Sequence, residues 1–352
     1  MKSCVPKVLQ TVGGRAMIMH VLETARQLGP AGVHVVHNPA LPEVKQACAG
    51  YQVTWAEQAE QLGTGHAVQQ ALPGIPEGAV VLILYGDIPL LEAGVLRDLI
   101  ATPADGLKVL TMRVADPHGY GRIVRDEEDL VREIVEQRDA NEFQQAICEV
   151  NSGIIMAPVE VLRTCLANMA SKNAQNEYYL TDVVTIARDQ GIGCTGVIAP
   201  VPKDLEGAND RVQLAALESR YRMKKTTELM QAGVQMADPE RVDVRGEVKV
   251  GRDVYIDINV ILEGDIELGD GVQLGPGCVL KNCQLAAGTR VHPYSVLEGV
   301  VSLGECDIGP FARLRPGTEL GAGSRVGNFV EVKNSTLGAG TKASHLSYLG
   351  DS

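Results

Sequence analysis

From about residue 250 to 351, aliphatic residues recur every six positions among small and polar ones. Val250, Ile256, Leu262, Leu268, Leu274 and Leu280 share one register. A one-residue slip falls at Leu285, after which Val291 and Leu297 resume it. Ile308, Leu314, Leu320, Val326 and Val332 form a second run, and Leu337, Ala343 and Leu349 a third. The fourth residue after many of these is small or β-branched: Val254, Val260, Ile266, Val272, Cys278, Ala312, Thr318 and Ser324. A strand alternates at period 2.0 and a helix repeats at 3.6, so neither produces this pattern. A parallel β-helix does, because each coil is a triangle of short strands and three hexads complete one turn. Roughly one hundred residues predict between five and six coils. A β-sandwich with evenly spaced turns would show strict alternation and longer spacing instead.

Before this array, residues 1 to about 210 alternate helical and strand patterns, which predicts an α/β domain with a largely parallel sheet. Ile18, Val21, Leu22, Ala25 and Leu28 lie on one face of a helix. Strands are expected at 33–36, near Val53, at 80–85 as a buried strand, and at 108–114, 130–135, 154–156 and 195–198. Further helices are expected at 66–72, 91–100, 159–169 and 179–189. Between about 210 and 232, Val212, Leu214, Leu217 and Tyr221 share one face of a helix that suits a domain linker. Residues 233–249, with Pro239 and Gly246, read as the lead-in to the first coil. The expected division is therefore 1–211, a linker at 212–232, and 233–352.

Composition narrows the partners. A chain of 352 residues is long enough for two domains. Hydrophobic residues make up 45% and aromatic ones 4%, which fits columns of small aliphatic side chains. A net charge of -12 argues against a sequence-independent hold on nucleic acid, which needs a basic footprint. An anionic substrate must then be met by a few local cations, by backbone N–H groups or by a metal ion. The longest apolar run, 79–85, is far too short to cross a bilayer, and no basic, apolar leader opens the sequence. A cytoplasmic protein without a membrane partner is expected. Eight cysteines without paired spacing predict reduced thiols, several of them small core residues, and Cys278 with Cys283 does not make a zinc motif.

Candidate chemistry gathers in the first part. The apolar run 80–85 ends in Gly86-Asp87, which places a carboxylate at the carboxyl end of a strand, where ligands bind in open α/β sheets. Asp is a hard oxygen donor suited to Mg²⁺, although turns use Asp for other reasons too. Upstream, Gln58-Ala59-Glu60-Gln61-Leu62-Gly63-Thr64-Gly65-His66-Ala67 sets two glycines and a Thr at a helix start, where N–H groups can meet a base edge or an anion, or simply be capped. Lys7 offers a charge for a phosphate or for solvent. Gly119-Tyr120-Gly121-Arg122 permits close backbone approach to a ligand, or forms a hairpin corner.

These segments, with Val5 to Leu9, Asp116-Pro117 to Ile123, Val135-Glu136, Asn151-Ser152-Gly153-Ile154, Asn176-Glu177-Tyr178-Tyr179-Leu180-Thr181-Asp182 and Gly207-Ala208-Asn209-Asp210-Arg211, occur in order ahead of the hexad array. The whole chain thereby resembles the bacterial bifunctional N-acetylglucosamine-1-phosphate uridylyltransferase / glucosamine-1-phosphate N-acetyltransferase family. The resemblance implies a Rossmann-like nucleotidyltransferase domain followed by a left-handed parallel β-helix, an exception to right-handed crossovers. It implies a homotrimer, and a product used in cell-wall and lipopolysaccharide synthesis. The substrates it implies are UTP, N-acetylglucosamine-1-phosphate, glucosamine-1-phosphate and acetyl-CoA. By position Lys7, Gln58, Gly63, Thr64, Tyr85, Gly86 and Asp87 match nucleotide-side residues, and Gly121, Glu136, Asn151 and Asn209 match those on the sugar. Asp87 and Asn209 match the Mg²⁺ ligands. In the β-helix, Arg315 and Lys333 match residues that hold glucosamine phosphate, His345 the general base, and Tyr348 a substrate contact. A His suits that role because its ordinary pKa lies near neutrality.

Two departures from the family pattern enter as expectations. The sequence starts just beyond the family's first strand and Gly-rich phosphate loop, and ends before the coils that carry the acetyl-CoA site. A chain truncated at both ends is expected to show little activity in either reaction, and a non-catalytic trimeric scaffold of the same fold is the alternative.

Overall fold

The computed structural model describes residues 1–104, 106–169 and 177–351. They fall into two compact units, Met1–Gln10 with Ala16–Gln213, and Thr11–Arg15 with Leu214–Ser352. Asn176, within the sequence motif around Tyr178, lies outside the described residues.

The first unit is built on the strand Glu149–Pro158, which pairs along one edge with Leu107–Arg113 and along the other with Val80–Ile83 and, at Arg122, with Arg122–Arg125. Period-two alternation sorts its apolar side chains to two faces. Leu107, Val109, Ile155 and Ala157 pack beneath the helices Val159–Ala167 and Asp182–Asp189, through Leu162, Cys165, Val183, Val184 and Ala187. Leu110, Met112, Val150 and Ile154 face the opposite way, toward Val21 of the helix Met17–Arg26 and toward Leu96 and Leu99 of the helix Ala93–Ala101. A sheet buried on both sides between helices is the α/β architecture that alternating patterns predict.

Two sequence expectations for this sheet are corrected. It is mixed rather than largely parallel: Cys194–Ile198 runs parallel to Leu107–Arg113, whereas Glu149–Pro158 is antiparallel to each neighbour and Arg122–Arg125 is antiparallel to Val131–Val135. The hairpin Arg122–Val135 returns the chain from the opposite end, and helix-strand alternation does not encode that reversal. The strand at 80–85 is also less buried than its apolar run suggests. It spans Val80–Ile83, pairs among the described residues only with Glu149–Pro158, and leaves Val80 58% exposed. A parallel pair, His34–His37 with Thr54–Glu57, forms a separate two-stranded sheet. The helix expected from Tyr179 starts at Asp182, since the turn before it closes through i−3 bonds, from Asp182 N–H to Tyr179 O at 3.1 Å and from Val183 N–H to Leu180 O at 3.2 Å.

The second unit begins within the helix Arg211–Gln231 and continues as a parallel β-helix. On that helix Leu217, Thr226 and Leu229 are buried, whereas Val212, expected on the same face, is 80% exposed. Every strand pair of the coils is parallel and joins residues 17 or 18 apart beyond the first coil. One inner column runs Val244, Leu262, Leu280, Leu297, Leu314, Val332 and Leu349, seven rungs of which six fall within 250–351, in line with the five to six coils expected of that stretch. The additional coil comes from Gln235–Met236 and Val242–Val250, so residues 233–249 are themselves coil and not a lead-in. Its apolar signal is diluted by Pro239, Arg245 and Gly246, which hid the hexad position Val244. All eight of the small or β-branched positions read from the sequence are buried, at 0–2% exposure. The slip at Leu285 is a side shortened to five residues, and the same shortening places Ser302 between Leu285 and Leu320 in the third column.

Candidate functional site

The 3-10 turn Lys7–Leu9, the segment following the strand Val80–Ile83, and the stretch before the helix Arg211–Gln231 bring Lys7, Asp87 and Asn209 together. Lys7 Nζ lies 2.5 Å from Asp87 Oδ2 and donates to Asn209 Oδ1 at 2.5 Å. Lys7 and Asn209 are each held by their backbone. Gln10 N–H donates to Lys7 O at 3.1 Å, and Asn209 N–H donates to Gln213 Oε1 at 2.6 Å. Gly207 leaves room for the carboxylate, since a Cβ there would stand 2.9 Å from Asp87 Oδ2. One carboxylate and one amide oxygen therefore converge on a single positive group. Hard oxygen donors in that arrangement fit Mg²⁺, which takes one or two protein groups and completes its shell with phosphates and water.

The Gly-rich loop is shaped by its neighbour. Gly63 has φ +113°, and a Cβ there would lie 2.6 Å from Tyr178 O, so only glycine is accommodated. Gly65 N–H donates to Tyr178 O at 2.8 Å, and Tyr178 N–H donates to Leu62 O at 2.8 Å. The Gly65 amide is thus engaged by the 178–180 segment and not offered to an anion, which corrects part of the sequence expectation for this helix start. Gln58 Nε2 donates to Gly63 O at 3.1 Å, fixing the loop from its other side.

Tyr85 joins the nucleotide-side residues to those assigned to the sugar. Burial pushes its phenol up to about 12, with the nearby Glu136 carboxylate adding to the shift against a contact with Thr64. It therefore stays protonated, as a hydrogen-bonding wall and not a base. Gly153, with φ +85°, clears space for its ring, because a Cβ there would overlap it. Gly121 abuts Glu136: a Cβ would lie 3.3 Å from Glu136 Oε1. Asn151 donates its N–H to Gly121 O at 2.8 Å, and its Oδ1 accepts Gly153 N–H at 2.9 Å. Glu136 accepts from Thr181 Oγ1 at 3.3 Å, and burial, helped by Asp139 and Asp182, raises its pKa.

Sequence reasoning quoted Arg122 and Thr181 only as members of longer motifs and gave neither a role of its own. Arg122 is 1% exposed, with its guanidinium donating to Tyr120 O, to Gln137 Oε1 at 2.6 Å and to Gln145 O at 3.4 Å. It pins the loop that carries Gly121 and the segment after Glu136. A basic residue after a Gly-Tyr-Gly corner gives no sequence signal of burial.

On the β-helix, Arg315 and Lys333 follow Leu314 and Val332, which are register partners, so the two cations stand on successive coils. Arg315 Nη1 lies 3.1 Å from Glu331 Oε1 and Lys333 Nζ 3.5 Å from Asp351 Oδ2. A hydrogen bond from Asn334, then Lys333 and Arg315, hold the Asp351 carboxyl below its usual range. Tyr348 stands opposite Glu331 on the same face and is exposed. His345 lies across the corner on the neighbouring sheet, opposite Asn328, with an exposed side chain. The structure thus groups Arg315, Lys333 and Tyr348 on one sheet and sets His345 one corner away.

Comparison with known proteins matches both units. Residues 1–184 match the MobA-like NTP transferase domain, and 247–282 match the bacterial transferase hexapeptide repeat. Proteins named bifunctional protein GlmU are similar over the whole chain. That of Acinetobacter baylyi is 48% identical and that of Stenotrophomonas maltophilia 50%, each over 100% of this chain and 77% of the relative. That of Marinobacter nauticus is 47% identical over 100% of this chain and 78% of the relative. A nucleotidyltransferase domain followed by a hexapeptide β-helix, matched end to end at this identity, places the chain in the family of bifunctional GlmU transferases.

Proposed function

We propose that the protein serves UDP-N-acetylglucosamine synthesis, with uridylyl transfer in the first unit and acetyl transfer on the β-helix. The observation that carries this reading is the convergence of Lys7, Asp87 and Asn209 at the end of the strand Val80–Ile83. In uridylyl transfer a phosphate oxygen of N-acetylglucosamine-1-phosphate attacks the α-phosphorus of UTP. The new P–O bond forms as the bond to pyrophosphate breaks. Gln58, Gly63, Thr64, Tyr85 and Gly86 bind the nucleotide, while Gly121, Glu136 and Asn151 orient the sugar. Lys7 meets the phosphates. Asp87 and Asn209 would hold Mg²⁺, which neutralises charge on the phosphates. The remaining task is positioning, for which no protein base is required.

For acetyl transfer, Arg315 and Lys333 hold the phosphate of glucosamine-1-phosphate. Stacked like charges repel, and a shared anion relieves them. His345 accepts the proton as the sugar amine attacks the thioester of acetyl-CoA, and Tyr348 contacts substrate. The protein works in the cytoplasm as a homotrimer joined through the β-helix. Among the described residues no helix is long and apolar enough to cross a membrane. The test is pyrophosphate release from UTP and N-acetylglucosamine-1-phosphate by the protein as its cell makes it. Asp87→Ala should lower turnover by about a thousandfold or more, the scale of losing a transition-state charge partner. Wild-type turnover in that variant would overturn the assignment.

A further inference from the structure

Lys7 occupies the place that the proposed function gives to a divalent ion. Its ammonium contacts the two oxygens assigned as metal ligands, each at 2.5 Å. An ammonium and Mg²⁺ on the same two oxygens would place like charges in contact, so one excludes the other. The contact contributes little to folding, because the side chains are 38% and 23% exposed and such pairs are worth little. Its consequence lies in ligand exchange. The backbone of Lys7 is fixed by its turn, while four flexible carbons let the amine move without disturbing it.

We infer that Lys7 is a displaceable counter-cation of the metal site: its ammonium closes Asp87 and Asn209 to free divalent ions, and arriving phosphates draw it off. This rests on the reading of Asp87 and Asn209 as metal ligands. With Lys7 in place the carboxylate is neutralised, so a free ion gains little by entering. A triphosphate supplies Lys7 with stronger anionic partners and carries its own divalent ion to the vacated oxygens. The metal therefore enters together with the nucleotide rather than ahead of it.

Mn²⁺ binding without nucleotide, followed by electron paramagnetic resonance, tests this on wild type, Lys7→Met and Asp87→Asn, with circular dichroism to confirm folding. Lys7→Met should bind free Mn²⁺ about two- to fivefold tighter than wild type, the scale of one partly exposed ion pair. A second measurement uses wild type alone. Reductive methylation of Lys7, read by mass spectrometry against the exposed Lys249, should stay slow at Mn²⁺ concentrations that fill Lys7→Met, quicken only at the higher concentrations that force the ion into wild type, and slow again when UTP follows. If Asp87→Asn abolishes Mn²⁺ binding while Lys7→Met binds as wild type and Lys7 methylation stays flat, the inference is overturned and the metal site stands. If Asp87→Asn binds Mn²⁺ as wild type does, the metal assignment itself falls.

Discussion

Glu136 is held in its place against its own charge. Burial raises its pKa above the usual carboxylate range, Asp139 and Asp182 add to that, and Thr181 offsets it only in part. A carboxyl whose pKa is higher folded than unfolded favours the fold when protonated. Its cost is therefore absent below the unfolded pKa and complete once pH rises above the folded one. Glu136→Gln should raise the melting temperature at pH 7 by about 2–4 °C, with the gain vanishing as pH falls toward 4. On the proposed assignment of Glu136 to the sugar, affinity for N-acetylglucosamine-1-phosphate should fall at least about tenfold, read by calorimetry, because the amide replaces a charged acceptor. Glu149 gives the opposite sign. Burial raises its pKa, but bonds from Arg125 at 2.6 Å and Thr111 at 2.7 Å outweigh that and hold it low. Its stabilisation is present above the unfolded pKa and lost as pH falls through the folded one. Glu149→Gln should cost about 2 kcal/mol at pH 7 by urea unfolding, and nothing in acid. Legibility at this scale was uneven. Asp87 is readable as a strand-end carboxylate, but Lys7, Asn209 and Glu136 acquire roles only through the resemblance. The burial of Arg122 depends on carbonyls from three separate segments, which no local pattern reports.

Ser302 shows how an element departs from its own repeat. It stands where Leu285 and Leu320 stand in the adjoining coils, 6% exposed in an aliphatic column. The hydroxyl accepts Ala286 N–H at 2.7 Å and lies 3.3 Å from Thr289 Oγ1, so a polar link crosses the shortened side. Ser302→Val should fill the column yet leave the Ala286 N–H without its partner, costing about 1–3 kcal/mol in denaturant unfolding. Equal or greater stability would mean that apolar packing outweighs that bond. Much of the β-helix was legible because one aliphatic residue per side is a physical requirement of its dry interior. The coil through Val244 was missed because one buried column of that rung sits among polar turn residues. The mixed direction of the first sheet was missed for another reason. Hydrophobic alternation reports which face is buried, while strand direction is set by where the hairpin Arg122–Val135 returns the chain.

At the scale of the whole molecule, charge and apolar surface oppose one another. Each chain carries -12, so copies repel at low salt. Against this, the β-helix presents a ladder at one corner. Tyr294, Phe311 and Phe329 stack with ring centroids 5.4 Å apart, Leu346 follows them, and all four are exposed. Their backbones take φ between +49° and +59°, a conformation costly for bulky side chains, at positions where turns elsewhere use Asn. A strained and solvent-facing aromatic column is destabilising for an isolated chain. It becomes favourable when another copy covers it, and a head-to-tail contact repeated by a threefold rotation closes into a trimer without leaving a free end. Two outcomes follow for sedimentation at micromolar concentration. Wild type should form a trimer that tightens between low salt and about 0.15 M salt, since screening at that ionic strength weakens the repulsion and leaves apolar contact intact. Phe311→Asp with Phe329→Asp should give a monomer whose circular dichroism is unchanged, because both side chains lie outside the inner columns. A double variant that remains a trimer would place the subunit contact on another face of the prism. A wild type that loosens as salt is added would show that ion pairs, and not this ladder, hold the copies together.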